Sequence, residues 1–262
     1  MAIFLDTGDL KEIEKYLKMG IIRGVTTNPT ILLQNGVNGG IKGVKARSME
    51  IARLIDPLPL SVEVCTNDTL KMRSQAQELA AMAPNIVVKI TIHGPNGELQ
   101  NLEVIHELEG QQNIRVNATA MMSAQQCFVA SMAGATYVSL FGGRIANMGY
   151  NPLEEIARLR KLLDKFNLKA KIIVGSTREV LNIIEWLDAG AHFVTVVPNL
   201  LEGMIVHPYS KETVRQFLAD AAKLETRLVM DPFSTPEEKV SKKGEAKIAP
   251  SKQPVVNQEQ KV

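Results

Sequence analysis

The 262-residue chain is poor in cysteine, and its two thiols, Cys65 and Cys127, stand far apart in apolar surroundings. This excludes a disulfide framework. The four histidines show no ligand spacing either, so the sequence predicts no bound metal. Free cysteines in a chain of this size are typical of a reducing compartment, and we therefore expect a cytoplasmic protein.

Long apolar runs and an excess of charge of one sign are also missing. No apolar stretch approaches the ~20 residues that a membrane span needs. The N-terminus turns acidic at Asp6, after five apolar residues, unlike a signal peptide. The 30 basic and 28 acidic residues leave a net charge of +2. This balance gives no reason to expect nucleic acid or an anionic membrane as a partner.

What the chain does contain is a series of short, β-rich apolar runs. Most are bounded by turn residues and are too short for buried helices, so they predict strands. There are eight: Ile3–Leu5, Gly24–Thr26, Leu60–Val64, Ile86–Ile90, Ile114–Ala118, Tyr137–Leu140, Lys171–Val174 and His192–Val196.

Segments of helical length and periodicity lie between these runs. Examples are Leu10–Met19, Leu70–Met82, Ala124–Ala133, Leu153–Phe166 and Glu179–Ala189. Their starts carry N-cap residues, and their ends carry glycines suited to a left-handed closing position. The predicted N-caps are Asp9, Ser123 and Asn151, and the closing glycines are Gly20, Gly134 and Gly190.

Alternation of strands and helices predicts an α/β protein with a parallel sheet covered by helices. Eight strands favour closure into a single (β/α)8 TIM barrel. An open doubly wound sheet is the alternative, but the GxGxxG fingerprint expected after its first strand is absent.

The C-terminal part is predicted to differ from the rest. One more helix is expected from Ser210 to about Val229, which gives a catalytic domain over residues 1–230. From Asp231 onward the composition is polar and rich in Pro, Lys, Glu, Ser and Gln. Such a segment buries too little apolar surface to offset its ordering entropy, so residues 231–262 are predicted to form a disordered tail. A partner-binding tail is the alternative.

Three charged residues fall within apolar strands: Asp6, Glu63 and Lys89. A buried charge must be paired, hydrogen-bonded or shifted in pKa. Each alone could be a solvated strand end or a structural ion pair. Together they lie at the carboxyl ends of the first, third and fourth strands, which is the face where barrel enzymes carry their active sites.

This trio points to a particular chemistry. A desolvated lysine can attack a carbonyl and form an iminium ion, which accepts electrons from a neighbouring C–C bond. Lys89 is the predicted nucleophile, and Asp6 and Glu63 could transfer protons. Further polar residues at strand ends suit the same site: Thr26, Asn28, Asn117, Thr119 and Ser139.

A phosphate site is predicted after the sixth and seventh strands. The stretch Gly175–Arg178 follows the seventh strand and opens a helix, where backbone N–H groups, Ser176 and Arg178 could bind an anion. Arg144 follows two glycines after the sixth strand and could reach the same point. Barrels frequently bind phosphate near strands seven and eight.

These residues occur in stretches that resemble the transaldolase family, most nearly its short subgroup with the fructose-6-phosphate aldolases. The stretches run in order from about residue 2 to 224. They are FLDTGDLKEIEKY, GVTTNPTIL, SVEV, VVKI, VNATAM, TYVSLFGGRI, VGSTR and a closing HP-x-[ST].

The resemblance implies a role for each position. Lys89 matches the Schiff-base lysine, and Asp6 matches the carboxylate that transfers a proton when the C3–C4 bond breaks. Glu63 and Thr119 match the pair that holds the catalytic water. The remaining positions match residues that bind the sugar hydroxyls (Thr26, Asn28, Asn117, Ser139) and the phosphate (Arg144, Ser176, Arg178).

The family's reaction moves a dihydroxyacetone unit from a ketose phosphate, fructose 6-phosphate or sedoheptulose 7-phosphate, to an aldose phosphate, without a metal or organic cofactor. Glu63 and Phe141 resemble transaldolases, whereas the aldolases have Gln and Tyr there. Two alternatives are an aldolase that releases free dihydroxyacetone and a non-catalytic sugar-phosphate-binding barrel. Short members of the family assemble as pentamers or decamers, so the resemblance implies a homo-oligomer.

The sequence also departs from the family pattern. VNATAMMS, VKIT and FGGR replace commoner stretches. Met121 and Met122 stand near the expected acceptor side, where they could alter the choice of substrate.

Overall fold

A computed structural model describes residues 2–229, and side chains for residues 2–224. Eight parallel strands form a closed barrel in sequence order, because β1 pairs with both β2 and β8. This confirms the predicted barrel and excludes the open sheet. The strands are β1 Ile3–Asp6, β2 Ile22–Thr26, β3 Leu60–Glu63, β4 Ile86–Thr91, β5 Val116–Met121, β6 Tyr137–Leu140, β7 Lys171–Val174 and β8 Phe193–Val196.

Helices follow the strands, and several βα units carry an extra one. They are α1 Leu10–Lys18, α2 Pro29–Gln34, α3 Gly40–Ile55, α4 Thr69–Met82, α5 Gln100–Gln112, α6 Ala124–Met132, α7 Gly142–Asn147, α8 Pro152–Lys165, α9 Val180–Asp188 and α10 Pro198–Ile205. Their buried faces pack against the outside of the barrel and form a continuous apolar layer.

The predicted helix boundaries are confirmed by their caps. Asp9 accepts hydrogen bonds from the Lys11 and Glu12 amides, Ser123 from the Gln126 amide, and Asn151 from the Leu153 amide. The three predicted closing glycines all have positive φ: Gly20 at 70°, Gly134 at 105° and Gly190 at 112°.

The interior of the barrel is closed at the amino-terminal ends of the strands, which we call the foot. Phe4, Tyr137 and Phe193 meet there, with ring centroids 4.5 to 6.1 Å apart. Gly24 completes this cluster. A β-carbon at Gly24 would lie 2.8 Å from the Phe4 ring and from the Pro59 carbonyl oxygen, so the close approach requires glycine.

Side chains alternate along a strand, so residues two positions later also point inward, nearer the carboxyl ends. We call this end of the barrel the mouth. Two residues after the foot cluster come polar side chains instead of rings: Asp6, Thr26, Ser139 and Thr195.

The described chain divides into two compact units, residues 1–206 and a second that begins at His207. The second contains helix α11, Pro208–Val229, which matches the predicted C-terminal helix. The expected boundary at residue 230 stays a prediction, and the predicted tail, 231–262, lies outside the described residues. Within the part that the structure describes, no helix is long and apolar enough to cross a membrane.

Candidate active site

A cavity of about 430 Å³ opens at the mouth of the barrel. Its volume lies in the range usual for small-molecule sites. All predicted site residues except Asn117 line it. They are Asp6, Thr26, Asn28, Glu63, Lys89, Thr119, Ser139, Phe141, Arg144, Ser176 and Arg178.

Lys89 is buried in the wall of this cavity, with 5% of its surface exposed. Its Nζ donates a hydrogen bond of 2.9 Å to the Thr27 carbonyl oxygen and lies 3.5 Å from Glu63 Oε2. The pair meets because β3 and β4 are neighbours in a register that sets Glu63 beside Lys89. The lysine is therefore held at a fixed place by a carboxylate and a backbone dipole.

Asp6 ends β1 and is partly buried at the cavity wall. Its Oδ1 accepts a hydrogen bond of 2.6 Å from the Thr26 hydroxyl, its register partner on β2. Burial raises the pKa of Asp6 above its ordinary value. The positive charge of Lys89 and the Thr26 hydrogen bond act in the opposite direction and do not cancel it. A carboxylate of this kind accepts a proton more readily than one in water, which suits a general base.

Thr119 has a buried hydroxyl without a hydrogen-bond partner in the described residues. Buried polar atoms are normally paired, so this hydroxyl is available to a water or a substrate atom in the cavity. Strand β5 bulges here, because its register with β6 shifts between Ala118 and Met121 and Ala120 has a φ of 63°. The bulge brings Ala120 as well as Thr119 to the cavity wall.

The predicted phosphate residues lie in the first turn of α7 and in the loop after β7, whose backbones approach each other closely. A β-carbon on Gly143 would collide with the Ser176 carbonyl, so glycine is needed there. Ser176 has a φ of 61°, a left-handed conformation uncommon outside glycine. The Arg144 guanidinium lies 5.2 Å from the centroid of the Phe141 ring, which fixes its stem beside the cavity.

Fewer backbone N–H groups after β7 are available to bind an anion than the sequence predicted. Helix α9 begins only at Val180, beyond the GSTR stretch. The amides of Arg178 and Glu179 donate to Asn182 Oδ1, at 3.4 and 3.1 Å. These two N–H groups are therefore already used within the protein, whereas no such bond takes up the amides of Ser176 and Thr177 among the described residues. The side chains of Arg144, Ser176 and Arg178 are the other anion donors that the sequence predicted.

Asn117 does not line the cavity. It is completely buried one layer deeper, where its Nδ2 donates to Ser61 Oγ at 3.1 Å and its Oδ1 accepts from Ser139 Oγ at 2.7 Å. The structure gives Asn117 a supporting contact to Ser139, which lines the cavity, and its contact with a sugar hydroxyl stays a prediction.

Some lining residues were not predicted from the sequence. They include Thr30, Ile31, Ala120, Thr177, Thr195 and Val197. Strand alternation could have indicated Thr195, which comes two positions after the inward Phe193. The Thr177 hydroxyl donates to the Thr195 carbonyl oxygen at 2.7 Å and ties the loop after β7 to β8. This long-range contact leaves no local signal in the sequence.

A cluster of three or more His, Cys, Asp or Glu side chains placed to hold a metal is not found among the described residues. The mouth does bring together Lys89 and two carboxylates, those of Asp6 and Glu63. A buried lysine beside two carboxylates, at the carboxyl ends of a barrel's strands, is a combination with which a site can hold and process a carbonyl compound.

Comparisons with known proteins agree on the fold and identify the family. Two solved structures share the fold at 13% identity. A thiamine phosphate pyrophosphorylase from Pyrococcus furiosus has a TM-score of 0.53, covering 75% of this chain and 85% of its own. An (S)-mandelate dehydrogenase has a TM-score of 0.52, covering 76% of this chain and 68% of its own.

The family model described as Transaldolase/Fructose-6-phosphate aldolase matches residues 3–243. A "Probable transaldolase" of Carboxydothermus hydrogenoformans is 37% identical, covering 84% of this chain and 97% of that protein. A "Probable transaldolase 2" of Listeria monocytogenes is 36% identical, covering 84% and 95%. The chain belongs to the transaldolase/fructose-6-phosphate aldolase family, as its sequence motifs predicted.

Proposed function

We propose that this protein is a transaldolase that forms a Schiff base through Lys89. It transfers a dihydroxyacetone unit from a ketose phosphate, fructose 6-phosphate or sedoheptulose 7-phosphate, to an aldose phosphate. The observation that carries the proposal is the buried Lys89 amine, 3.5 Å from Glu63 and in one cavity with Asp6. A site for binding alone has no need of this combination.

The proposed reaction begins with attack of the Lys89 amine on the ketose C2 carbonyl. Loss of water from the adduct gives an iminium ion, and the water is positioned by Glu63 and the unpaired Thr119 hydroxyl. Asp6 then takes the proton of the C4 hydroxyl as the C3–C4 bond breaks, and the electron pair enters the iminium to form an enamine. The aldose phosphate leaves.

The second half of the proposed reaction runs in the reverse direction. The enamine attacks the aldehyde carbon of the acceptor, Asp6 returns its proton to the new hydroxyl, and water hydrolyses the iminium. Arg144, Ser176 and Arg178 bind the phosphate and hold the sugar chain across the cavity. Thr26, Asn28 and Ser139 bind its hydroxyls.

Borohydride trapping tests the proposal directly. Incubation with fructose 6-phosphate and sodium borohydride should inactivate the protein and attach a reduced three-carbon unit to Lys89, located by peptide mass mapping. Phe141 and Glu63 favour transfer over release. An acceptor aldose should therefore accelerate ketose consumption strongly.

Other outcomes would point to the alternatives. Equal rates of dihydroxyacetone release with and without an acceptor would instead indicate the aldolase. Full activity after borohydride treatment would exclude the Schiff-base mechanism. Sugar-phosphate binding with neither activity nor an adduct would indicate a non-catalytic barrel.

The setting of this activity is also a proposal. Its substrates are sugar phosphates, so we place the reaction in cytoplasmic carbohydrate metabolism, in the pentose phosphate pathway, and in a homo-oligomer of five or ten copies. Light scattering on the purified full-length chain measures the number of copies, and a monomeric mass would contradict the assembly.

A further inference from the structure

A chain of hydroxyl groups reaches Asp6 from the neighbouring strands. Thr26 Oγ1 lies 2.6 Å from Asp6 Oδ1 and 2.5 Å from Thr195 Oγ1. The three residues point into the barrel from β1, β2 and β8, and β1 pairs with both of the others. Thr26 and Thr195 are 2% and 7% exposed, so bulk water does not replace either contact.

The direction of these hydrogen bonds follows from counting protons. A threonine hydroxyl has one proton to donate, and an ionised carboxylate has none. When Asp6 is ionised, the Thr26 proton is directed at Asp6. The short contact between the two hydroxyls is then a hydrogen bond only if Thr195 donates to Thr26.

We propose that Thr195 is a positioning residue that acts on Asp6 through Thr26. By donating to Thr26, it directs the Thr26 proton at Asp6 and stabilises the carboxylate that accepts the substrate proton. This inference rests on the proposed function, which makes Asp6 the general base. After Asp6 takes a proton, the chain can reverse: Asp6 donates to Thr26, Thr26 donates to Thr195, and the Thr195 hydroxyl turns to the cavity that it lines.

The ionised form of Asp6 gains more from this chain than the neutral form. Hydrogen bonds to a charged acceptor are about twice as strong as neutral ones, and linked hydrogen bonds polarise one another. Loss of the Thr195 donor should therefore shift Asp6 towards protonation. Since Asp6 must be ionised to act as a base, activity should fall most at the acid end of the pH range.

Other charges near Asp6 stay in place when Thr195 changes. Lys89 faces Asp6 and lowers its pKa, and Glu63 pairs with that lysine. Arg144 and Arg178 line the same cavity. The adjacent strands β2 and β8 bring no titratable side chain to this level of the barrel. A change in the pH profile of a Thr195 variant thus reports on the hydroxyl chain.

A Thr195→Val substitution removes the hydroxyl and little else. The methyl group that packs near Gly175 is retained. The bond from the Thr177 hydroxyl goes to the Thr195 main-chain oxygen, which the substitution does not alter. Thr177→Val is the matched control, because it deletes a buried cavity hydroxyl that does not reach Asp6.

The experiment measures kcat for ketose cleavage against pH for the unmodified protein, Thr195→Val, Thr195→Ser and Thr177→Val. Thr195→Val should lose roughly 3- to 10-fold at the acid end, the scale of one hydrogen bond, and recover to within about a factor of two at the alkaline end. Thr195→Ser should restore the original pH profile. Thr177→Val should leave unchanged the pH at which kcat falls. Borohydride should still trap substrate on Lys89 in all four proteins.

Several results would overturn the inference. A loss in Thr195→Val that is equal at every pH, or a serine variant that behaves like valine, would make Thr195 a packing residue while leaving Lys89 labelling and the proposed function intact. Absence of a Lys89 adduct in the unmodified protein would contradict both the role of Thr195 and the proposed function. If the valine variant does not fold, Thr195→Ala is measured instead and must show the same acid-selective loss.

Discussion

The mouth and the foot of the barrel are built from the same strands, but the foot is apolar and packed whereas the mouth is polar and open. At the foot, Phe4 and Phe193 point inward and meet at 4.5 Å between ring centroids. Two residues later on the same strands, Asp6 and Thr195 point inward into an open cavity. One step of side-chain alternation therefore converts a packed apolar plug into a polar site.

The difference shows where the protein gains stability and where it gives it up. The aromatic foot removes apolar surface from water, and each large ring is worth several kcal/mol. At the mouth, burial raises the pKa of Asp6, which means that its charged form is unfavourable in the fold. Substitutions at the two ends should therefore have opposite effects on activity and stability.

The largest effect is expected for Lys89→Arg at the mouth. Arginine keeps the positive charge but stays protonated and cannot attack a carbonyl, so the rate should fall on the order of 10⁴-fold or more. The Tm should change little by comparison. A stopped assay with purified protein measures the rate, and substantial remaining activity would mean that another residue is the nucleophile.

The two carboxylates should divide the work. Asp6→Asn should slow C–C cleavage while substrate is still trapped on the protein by borohydride. Glu63→Gln should slow both formation and hydrolysis of that adduct. Each loss should lie in the range of about 10²–10⁴-fold. Rates equal to those of the unmodified protein for both variants would show that the two charges are structural.

Asp6→Asn should also raise the Tm near pH 7, because it removes a partly buried charge whose folded-state pKa is raised. A raised carboxyl pKa favours folding below the ordinary value of 3.8, and this advantage is lost as the pH rises through the folded-state pKa. The Tm difference between the two proteins should therefore shrink near pH 4. A lower Tm for the asparagine variant at neutral pH would contradict this sign.

The sequence predicted much of this molecule because its signals are local. Strand alternation, N-caps such as Asp9 and glycines such as Gly134 are all visible within one helix or strand. The charges of Asp6, Glu63 and Lys89 stood out because they interrupt apolar runs. Their meeting at one mouth followed from the barrel.

The features that the sequence did not reveal depend on contacts between distant segments. Asn117 on β5 is held below the cavity by Ser139 on the neighbouring strand β6 and by Ser61 on β3, two strands away. The bulge at Ala120 is a change of register between β5 and β6. The start of α9 at Val180 is different, because Asn182 accepts from the Glu179 amide three residues earlier, which is a local signal that the sequence analysis missed.

At the foot, Phe4→Ala should destabilise the protein by about 3–5 kcal/mol, since it removes a fully buried ring from the plug. The Tm should fall by roughly 6–20 °C, while the activity of the remaining folded protein should be retained. Phe4→Leu is the matched control and should lose less. Equal stability of the alanine variant would show that the foot is not a main source of stability.

Substitutions of the predicted phosphate-binding arginines should have a smaller effect on activity, and one that depends on the substrate. Arg178→Ala removes a charge-assisted contact, so kcat/KM for fructose 6-phosphate should fall by roughly ten- to a few hundredfold. Activity on unphosphorylated fructose or dihydroxyacetone should change far less. Arg144→Ala should behave in the same way. Equal losses on both kinds of substrate would assign these arginines to structure.

The smallest effect is expected at the foot, from His192. This side chain precedes β8, and its Nδ1 accepts a hydrogen bond of 3.0 Å from the Ile172 amide. Burial, together with the charges of Arg160 and Lys171, lowers its pKa from 6.5 to about 4. Protonation at Nδ1 would break the bond to the amide and place a second positive charge beside Arg160.

The sign of the pH dependence follows from that lowered pKa. The stability that neutral His192 contributes is fully present above pH 6.5 and is lost as the pH falls towards 4. His192→Asn keeps an acceptor at the same place but does not titrate. Between pH 6.5 and 4, the Tm of the unmodified protein should therefore fall by about 2–4 °C more than that of His192→Asn, the shift that roughly 1 kcal/mol produces at this size. Parallel Tm curves for the two proteins would show that His192 is accommodated in its charged form.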